Sequence, residues 1–225
     1  MTIGTLATRA LAGLCTARDL RLHVEGLEHL PPHGPALIAA RHYHHLYDGA
    51  ALLGALPRTV HLYVALDWTR NAWERRAMEG LCKLADWPVA LRGEGLVRTF
   101  PGAFARRDLG RYVRRSLTDG ARLLRAGRVL AVFPEGFPTI DPAGSRKPFD
   151  DAFLPFRPGF LAIVALAQRD GGARIPIVPA GLAYARGSRW QVTLRLGAPL
   201  FFERHDQRAA LLEAVSSRVK ALSAA

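Results

Sequence analysis

Three histidines and an aspartate stand close together near the start of the chain, in the segment ALIAARHYHHLYDG at 36–49. His42 follows a short apolar run that is typical of a buried strand, and Asp48 comes six positions later. A neutral imidazole becomes an effective general base when a carboxylate accepts a hydrogen bond from the N–H of its second ring nitrogen. The segment therefore indicates base chemistry at the end of a strand, with a solvated polar strand end as the ordinary alternative.

Two further polar groups follow apolar runs elsewhere in the chain. Glu135 and Gly136 come directly after VLAVFP, where the proline fixes the turn and the glycine lets a ligand approach the backbone. Arg92 follows WPVAL in a loop that contains glycines, a setting that suits a phosphate because a guanidinium donates two parallel hydrogen bonds. The ordinary alternatives are a simple strand-to-loop turn and a surface arginine.

Short apolar runs that alternate with longer periodic stretches indicate the elements that carry these groups. The runs predict strands at 20–26, 36–40, 60–66, 89–91, 129–133, 175–182 and 190–196. The stretches between them predict helices at 46–56, 71–84, 108–126, 158–169 and 206–223. This alternation is typical of an α/β domain, in which catalytic groups gather where strands end. The long loop at 135–159, rich in proline and glycine, has the length of a functional or mobile segment.

Composition limits the classes of protein and of partner. The 225 residues suffice for one domain, and the two cysteines are too few for a disulfide framework or a metal knuckle, which fits a reducing cytoplasm. A net charge of +12 concentrates anions, which include nucleic acid, anionic lipid headgroups and phosphate-bearing substrates. Zinc spacings, aromatic-basic RNA motifs and a basic helix-turn-helix pattern are lacking, so we expect no nucleic-acid partner.

Taken in order, four segments resemble the motifs of the glycerophospholipid acyltransferase superfamily, which includes the 1-acylglycerol-3-phosphate (lysophosphatidate) acyltransferases. The segments are ALIAARHYHHLYDG, WPVALRGEG, VLAVFPEGFP and IPIVPAGL, and PFRPGFLAIVALA resembles the basic helix start that precedes the last motif. The resemblance covers residues 20 to 200 or so. It implies a single α/β domain with a mixed, mostly parallel sheet flanked by helices, as in glycerol-3-phosphate acyltransferases. An N-terminal amphipathic helix at 1–19 would precede the acyltransferase domain at 20–225.

The resemblance also implies a reaction. A fatty acyl group would pass from acyl-CoA or an acyl carrier protein to a hydroxyl of a lysophospholipid or a related lipid, without an acyl-enzyme. His42 would act as the general base, with Asp48 orienting its ring. Glu135 and Gly136 would position the acceptor, and Arg92 would hold its phosphate. Neither a metal nor a cofactor is implied, because the acyl thioester is a co-substrate.

The first motif departs from the superfamily pattern. Five residues separate His42 from Asp48, where the superfamily has four. His44 is the rival base, because His44 and Asp48 are four positions apart and would share one face of a helix. Alignment on the preceding strand favours His42. The arrangement His44-x3-Asp48-Gly49 also resembles the signature of chloramphenicol-acetyltransferase-like enzymes, but nothing else in the sequence supports that assignment.

The third motif departs as well. The superfamily's glutamate-glycine pair is normally followed by Thr-Arg, whereas this chain has Phe137-Pro138. One anion-binding arginine is therefore missing, and Arg157 or Arg146 would have to replace it. Because this change affects the acceptor site, a catalytically degenerate, lipid-binding member of the same fold is the alternative function, and a basic nucleic-acid-binding protein is a weaker one.

Two segments suit an anionic membrane surface. The segment 1–19 has apolar residues at a loose helical period, which favours either an interfacial helix or a cap on the core. The helix predicted at 108–126 carries arginines that suit lipid headgroups or the phosphates of CoA, with a solvated helix face as the alternative. With the net charge, these segments predict a cytoplasmic protein bound peripherally to the inner face of the plasma membrane.

Overall fold

The computed structural model describes residues 3–92, 108–142, 144–149, 152–169, 173–203 and 207–224. Six α-helices lie within these ranges, together with a 3₁₀ turn at Leu27–His29: α1 (Ile3–Asp19), α2 (Tyr47–Ala55), α3 (Ala72–Ala85), α4 (Leu109–Arg125), α5 (Gly159–Ala167) and α6 (Arg208–Leu222). The same ranges contain nine strands: β1 (Leu20–Glu25), β2 (Ala36–Ala40), β3 (Val60–Leu62), β4 (Val64–Ala65), β5 (Val89–Ala90), β6 (Val129–Val132), β7 (Pro176–Ala185), β8 (Trp190–Leu196) and β9 (Leu200–Phe201).

Seven of these strands form one mixed sheet in the order β1-β8-β7-β2-β6-β3, with β9 paired to β7. The central strands β7, β2, β6 and β3 are parallel to one another, and β1 is parallel to β8. Only β8 and β9 run antiparallel to β7 among the described pairs. Strands β4 and β5 form a separate parallel pair. The predicted single α/β domain with a mixed, mostly parallel sheet is confirmed.

The core lies on both faces of this sheet. All five residues of β2 are buried, and a strand buried on both sides needs helices over each face. Because successive side chains point to opposite faces, Ile38 packs in the cluster that includes α1 and α2, whereas Leu37 packs with α4, α5 and α6. The carboxyl end of β2 therefore emerges between two packed layers, where a side chain can be held firmly.

The strand predicted at 60–66 forms two strands in the structure. The backbone N–H of Tyr63 donates to Ala131 in β6, but the N–H of Val64 donates to Pro88 next to β5. The chain thus changes its pairing partner within one continuous apolar run, which composition does not reveal. The structure also extends β7 to Ala185 and adds the two-residue strand β9.

Helix α1 packs on α2 and α3 through a face of small residues that includes Ala12. Thr5 and Thr8 are buried, and the hydroxyl of Thr8 donates to carbonyls within the helix. Leu6, Leu11 and Leu14 are exposed on the opposite side. The predicted N-terminal helix is therefore present, with an apolar outer face. In the described part of the chain, none of the helices has the combination of length and apolar character needed to cross a bilayer.

Candidate active site

His42 and Asp48 form a hydrogen-bonded pair at the carboxyl end of β2. Nδ1 of His42 lies 2.9 Å from Oδ2 of Asp48, which stands in the first turn of α2. The side chain of Asp48 is fully buried, whereas that of His42 keeps 15% of its surface exposed. Phe133, just after β6, stacks on the imidazole with 4.5 Å between ring centroids. Because Nδ1–H faces the carboxylate, Nε2 is the nitrogen that is left to accept a proton from a ligand.

Asp48 accepts three further hydrogen bonds. Its Oδ2 accepts from the backbone N–H groups of Tyr43 at 2.6 Å and His44 at 3.0 Å. Its Oδ1 accepts from the hydroxyl of Tyr184 at 2.6 Å. Burial, and then the charge of Asp48, raise the pKa of Tyr184 well above its usual range, so this hydroxyl stays protonated. Both carboxylate oxygens are thereby satisfied, as a buried charge requires.

The rival histidine, His44, hydrogen-bonds to the backbone at the start of α2. Nδ1 of His44 accepts hydrogen bonds from the backbone N–H groups of Leu46 at 3.2 Å and Tyr47 at 3.3 Å, at the start of α2. These N–H groups lack partners within the helix, so the ring acts as a cap. Burial lowers the pKa of His44 to about 4 and keeps the ring neutral. Of the two candidate bases, His42 is the one whose ring hydrogen-bonds to Asp48.

The five-residue spacing is accommodated by pairing with the loop that follows β6. His44 forms an isolated parallel bridge with Ile140. The N–H of Ile140 donates to the carbonyl of Tyr43 at 2.7 Å, and the N–H of His45 donates back to Ile140 at 3.1 Å. The residues between His42 and Asp48 are thus held by backbone hydrogen bonds, so the extra residue does not loosen the dyad.

Glu135 lies next to the histidine but points into the protein. Its Oε1 accepts from the backbone N–H of His42 at 2.8 Å, and its Oε2 accepts from the N–H of Leu154 at 3.0 Å. The ammonium of Lys147 lies 2.6 Å from the same Oε2. The carboxylate therefore fixes the backbone around His42, and direct contact between Glu135 and an acceptor stays a prediction.

Gly136 brings the backbone close to two arginines. Its φ of +77° favours glycine, and a Cβ at this position would lie 3.0 Å from Nε of Arg157. The carbonyl of Gly136 accepts a hydrogen bond from Nη1 of Arg92. Nε of Arg92 lies 2.8 and 3.0 Å from the two carboxylate oxygens of Asp67. A larger residue at 136 would displace Arg157 and would be strained at this positive φ. Glycine is therefore needed here for both reasons.

The phenylalanine that follows Gly136 is a platform for three guanidinium groups. The guanidinium carbons lie 3.8 Å (Arg146), 4.0 Å (Arg92) and 5.6 Å (Arg157) from the centroid of the Phe137 ring. We refer to these three residues as the arginine cluster. Three planar guanidinium groups around one ring suit a phosphate, whose oxygens accept hydrogen bonds from each.

With this geometry in view, the chain can be compared with known proteins. The profile of the family described as Acyltransferase matches residues 21–183, which contain every site residue described above except Tyr184. The chain belongs to the Acyltransferase family. No curated protein matches the sequence.

In fold, this acyltransferase-family chain resembles the crystal structure of the 1-acyl-sn-glycerophosphate (LPA) acyltransferase PlsC from Thermotoga maritima. The TM-score is 0.61 at 18% sequence identity, and the match covers 96% of this chain and 77% of that chain. At this level of identity, the likeness concerns the fold.

The structure brings the predicted site residues of this family member to one edge of the sheet. His42 contacts both Asp48 and Glu135, and the next two residues after Glu135 contact Arg92 and Arg157. The second motif continues past Arg92 into residues that lie outside the described ranges. In the ranges that are described, no three His, Cys, Asp or Glu side chains form a group that could hold a metal ion.

Three contacting residues escaped prediction from the sequence. Tyr184 and Lys147 come from segments 136 and 105 positions away from their partners, and Asp67 lies 25 positions before Arg92. Lys147 carried a weak signal, because it is one of only three lysines beside 28 arginines. Tyr184 and Asp67 stand at the ends of apolar runs, without a motif of their own.

The arginines of α4 are mostly engaged within the protein. Arg122 pairs with Asp86, Arg111 pairs with Asp108, and Arg125 donates to the carbonyl of Leu166 at 2.6 Å. The contacts of Arg122 and Arg125 join α4 to its neighbours, whereas the pair of Arg111 and Asp108 lies at the start of α4 itself. The expected contact of this helix with lipid headgroups or CoA stays a prediction.

Proposed function

We propose that this acyltransferase-family chain is an O-acyltransferase that moves a fatty acyl group from an acyl thioester to a hydroxyl of a lysophospholipid or a related lipid. The observation that carries the proposal is the pair of His42 and Asp48, with Nδ1 on the buried carboxylate and Nε2 available to a ligand. Family membership supports acyl transfer. The name of the structural neighbour suggests a lysophosphatidate-like acceptor.

In the proposed reaction, Nε2 of His42 takes the proton of the acceptor hydroxyl while the hydroxyl oxygen attacks the thioester carbonyl carbon. The tetrahedral intermediate then collapses with cleavage of the C–S bond, and the leaving thiolate takes the proton from the imidazolium. Asp48 holds the Nδ1–H tautomer and stabilises the imidazolium. The products are an ester and a free thiol. The donor is acyl-CoA or an acyl carrier protein, and no further reactant is needed.

The arginine cluster supports an acceptor that carries a phosphate. Arg92 and Arg157 are the proposed phosphate ligands, and Arg146 takes the place of the arginine that is missing after Gly136. Phe137 supports all three guanidinium groups from one ring. The Gly136 backbone allows close approach, and Glu135 in our proposal positions the acceptor indirectly, through the backbone of His42.

We further propose that the protein works on an anionic membrane surface, as a peripheral protein on the inner face of the plasma membrane. The exposed leucines of α1 and the net charge of +12 support this placement. A lipid acceptor would then reach the site from the bilayer without first dissolving in water.

Release of free thiol from acyl-CoA in the presence of lysophosphatidate tests this function. We expect His42→Ala to lower kcat about 10²- to 10⁴-fold, the usual contribution of a general base. We expect His44→Asn to stay near the wild-type rate, because the side-chain oxygen of asparagine can replace Nδ1 as the acceptor at the start of α2. Equal rates for wild type and His42→Ala would contradict the proposed base.

The choice of acceptor separates the alternatives. We expect lysophosphatidate to be used far better than a monoacylglycerol, which lacks the phosphate that the arginine cluster would bind. Lipid binding without thiol release in the wild-type protein would favour a catalytically degenerate member of the fold. Tight, salt-sensitive binding of duplex nucleic acid would favour the nucleic-acid alternative.

A further inference from the structure

Lys147 is a buried cation whose ammonium reaches the backbone of the proposed base. Its side chain has no exposed surface. Nζ lies 2.6 Å from Oε2 of Glu135 and donates to the carbonyl oxygen of His42 at 2.6 Å. Oε1 of the same glutamate accepts from the N–H of His42 at 2.8 Å. The lysine and the glutamate thus hold both the N–H and the C=O of His42 and are joined to each other.

We propose that Lys147 is a positioning residue for acyl transfer, which with Glu135 clamps the backbone of His42 so that the imidazole meets both Asp48 and the acceptor. This inference rests on the proposed function, in which His42 is the base. Lys147 itself touches neither substrate.

Cost and geometry both favour a positioning role. A buried ion pair often stabilises a protein no more than apolar residues of the same volume do. Stability alone therefore does not explain the pair of Lys147 and Glu135. Burial lowers the pKa of Lys147, and the charge of Glu135 opposes that effect. What the pair adds is geometric, because a shift of about 1 Å in a reacting group can cost 10²-fold in rate.

The loop that carries Lys147 also connects the clamp to the arginine cluster. The loop returns to the site through the N–H of Leu154, which donates to Glu135. Next to Lys147, Oγ of Ser145 accepts from the N–H of Lys147 at 3.0 Å and donates to the carbonyl of Pro138 at 3.3 Å. Arg146, the residue before Lys147, lies on the Phe137 ring in the arginine cluster. Adjacent residues of one loop therefore reach the proposed phosphate site and the backbone of the base.

Lys147→Met tests the clamp, because methionine fills a similar volume without a donor or a charge. Arg58→Met is the matched control. Arg58 is a partly buried cation that donates to the carbonyls of Pro31, Gly34 and Gly127, at the amino ends of β2 and β6 and away from His42. Steady-state kcat and KM would be measured for both variants well below their melting temperatures.

We expect Lys147→Met to lower kcat by about 10- to 100-fold with KM for the acceptor changed less than about threefold, the pattern of a misplaced reacting group. We expect Arg58→Met to lose thermal stability while keeping the wild-type kcat. A kcat for Lys147→Met within about twofold of wild type would overturn the inference, as would an equal loss of kcat in the control.

A second variant covers the case in which Lys147→Met does not fold. The double change Glu135→Gln with Lys147→Met leaves no unpaired buried charge and keeps an amide oxygen for the N–H of His42. We expect a folded protein with kcat still reduced at least tenfold, because the carbonyl of His42 has lost its donor. A folded double variant with wild-type kcat would refute the clamp.

Assaying His42→Ala in parallel separates the two levels of the proposal. Undiminished activity in His42→Ala would refute the proposed function and, with it, any positioning of that base. Activity lost in His42→Ala but retained in Lys147→Met would refute the clamp alone. As a readout besides activity, we expect the proton NMR signal of His42 Nδ1–H to shift or broaden in Lys147→Met and to stay unchanged in Arg58→Met.

Discussion

The Asp48 carboxylate accepts four hydrogen bonds, one from an imidazole, two from backbone N–H groups and one from a tyrosine hydroxyl. Such a number suits a fully buried charge, which is otherwise costly by several kcal/mol. The two backbone donors belong to the residues directly after His42. The turn therefore closes on the carboxylate itself, which explains how a histidine and an aspartate six positions apart meet without being on the same face of a helix.

The hydroxyl of Tyr184 orients Asp48 from the side opposite His42. We expect Tyr184→Phe to destabilise the protein by about 1–3 kcal/mol, because Oδ1 of a buried carboxylate loses its donor. We also expect kcat to fall by up to about tenfold with KM unchanged, since the carboxylate can then rotate away from Nδ1. Urea denaturation gives the free energy of unfolding, and the thiol-release assay gives kcat.

Tyr63 provides the control for that variant. Its hydroxyl donates to Oγ of Ser116 at 2.6 Å, away from the dyad, and burial raises its pKa as well. We expect Tyr63→Phe to lose stability without any loss of kcat. If Tyr184→Phe behaved in the same way, the tyrosine would be a structural partner of Asp48 with no influence on the proposed base.

At the scale of the elements, prediction from sequence succeeded where a signal was local. The apolar patterns placed β1, β2, β6 and β8 to within a residue or so. The buried strands β2 and β6 are continuously apolar, whereas the half-buried strands β1 and β8 alternate between apolar and polar residues. The change of pairing partner at Tyr63 was not predicted, since it depends on which distant strand is adjacent. The two residues of β9 are too short to produce a periodic pattern.

The candidate site shows the same limit. The juxtaposition of His42, Asp48 and Glu135 was expected, because the ends of parallel strands meet at one edge of a sheet. The contacts of Lys147 and Tyr184 were not expected, because a long loop and the far end of β7 bring them in. Nothing local in a sequence encodes such returns of the chain.

The packing of α6 on β7 depends on a glycine. A Cβ at Gly181 would lie 2.3 to 2.5 Å from the backbone and Cβ of Leu222, the last residue of α6. We expect Gly181→Ala to destabilise the protein by roughly 2 kcal/mol or more, because a backbone cannot yield as a flexible side chain can. The urea midpoint of the variant measures the effect.

Gly13, in helix α1, is the control for Gly181 in strand β7. Apart from the backbone of α1 itself and the two neighbouring residues, no described heavy atom stands within 4 Å of where its Cβ would be. We expect Gly13→Ala to leave the urea midpoint unchanged or to stabilise the protein by about 0.5–1 kcal/mol through helix propensity. A Gly181→Ala variant as stable as Gly13→Ala would show that α6 can move away from the sheet at little cost.

At the scale of the whole molecule, the outer face of α1 and a neighbouring face of α3 are unusually apolar. Leu11 and Leu14 on α1 are 60% and 66% exposed, and Trp73 and Leu84 on α3 are 79% and 67% exposed. The two helices touch, since a Cβ on Gly4 would collide with the carbonyl of Leu84. We propose that this apolar surface on adjacent helices is an interaction site.

Charge indicates which partner fits that surface. Exposed basic side chains accompany the leucines and the tryptophan on the same helices, namely Arg18 on α1 and Arg76 and Lys83 on α3. Apolar side chains that insert below the headgroups, with cations at the headgroup level, are the features of interfacial helices on anionic membranes. The net charge of +12 adds a long-range attraction to anionic membranes.

Co-sedimentation with vesicles of anionic and zwitterionic phospholipids tests this surface. We expect the variant with Leu6, Leu11 and Leu14 changed to Gln to bind anionic vesicles on the order of 100-fold more weakly, because each leucine contributes about 1 kcal/mol of apolar burial. We expect added salt to weaken the binding of the wild-type protein to anionic vesicles, because salt screens the contacts with the headgroups.

The control for this loss removes exposed apolar side chains elsewhere. Leu27 and Phe149 are 40% and 66% exposed outside α1 and α3, and changing both to Gln lowers surface hydrophobicity without touching those helices. We expect this variant to bind vesicles like wild type. Undiminished binding by the α1 variant would show that the α1 leucines do not hold the protein to membranes, and equal losses in both variants would show a general response to surface polarity. A loss confined to the α1 variant identifies α1 as the membrane-facing element.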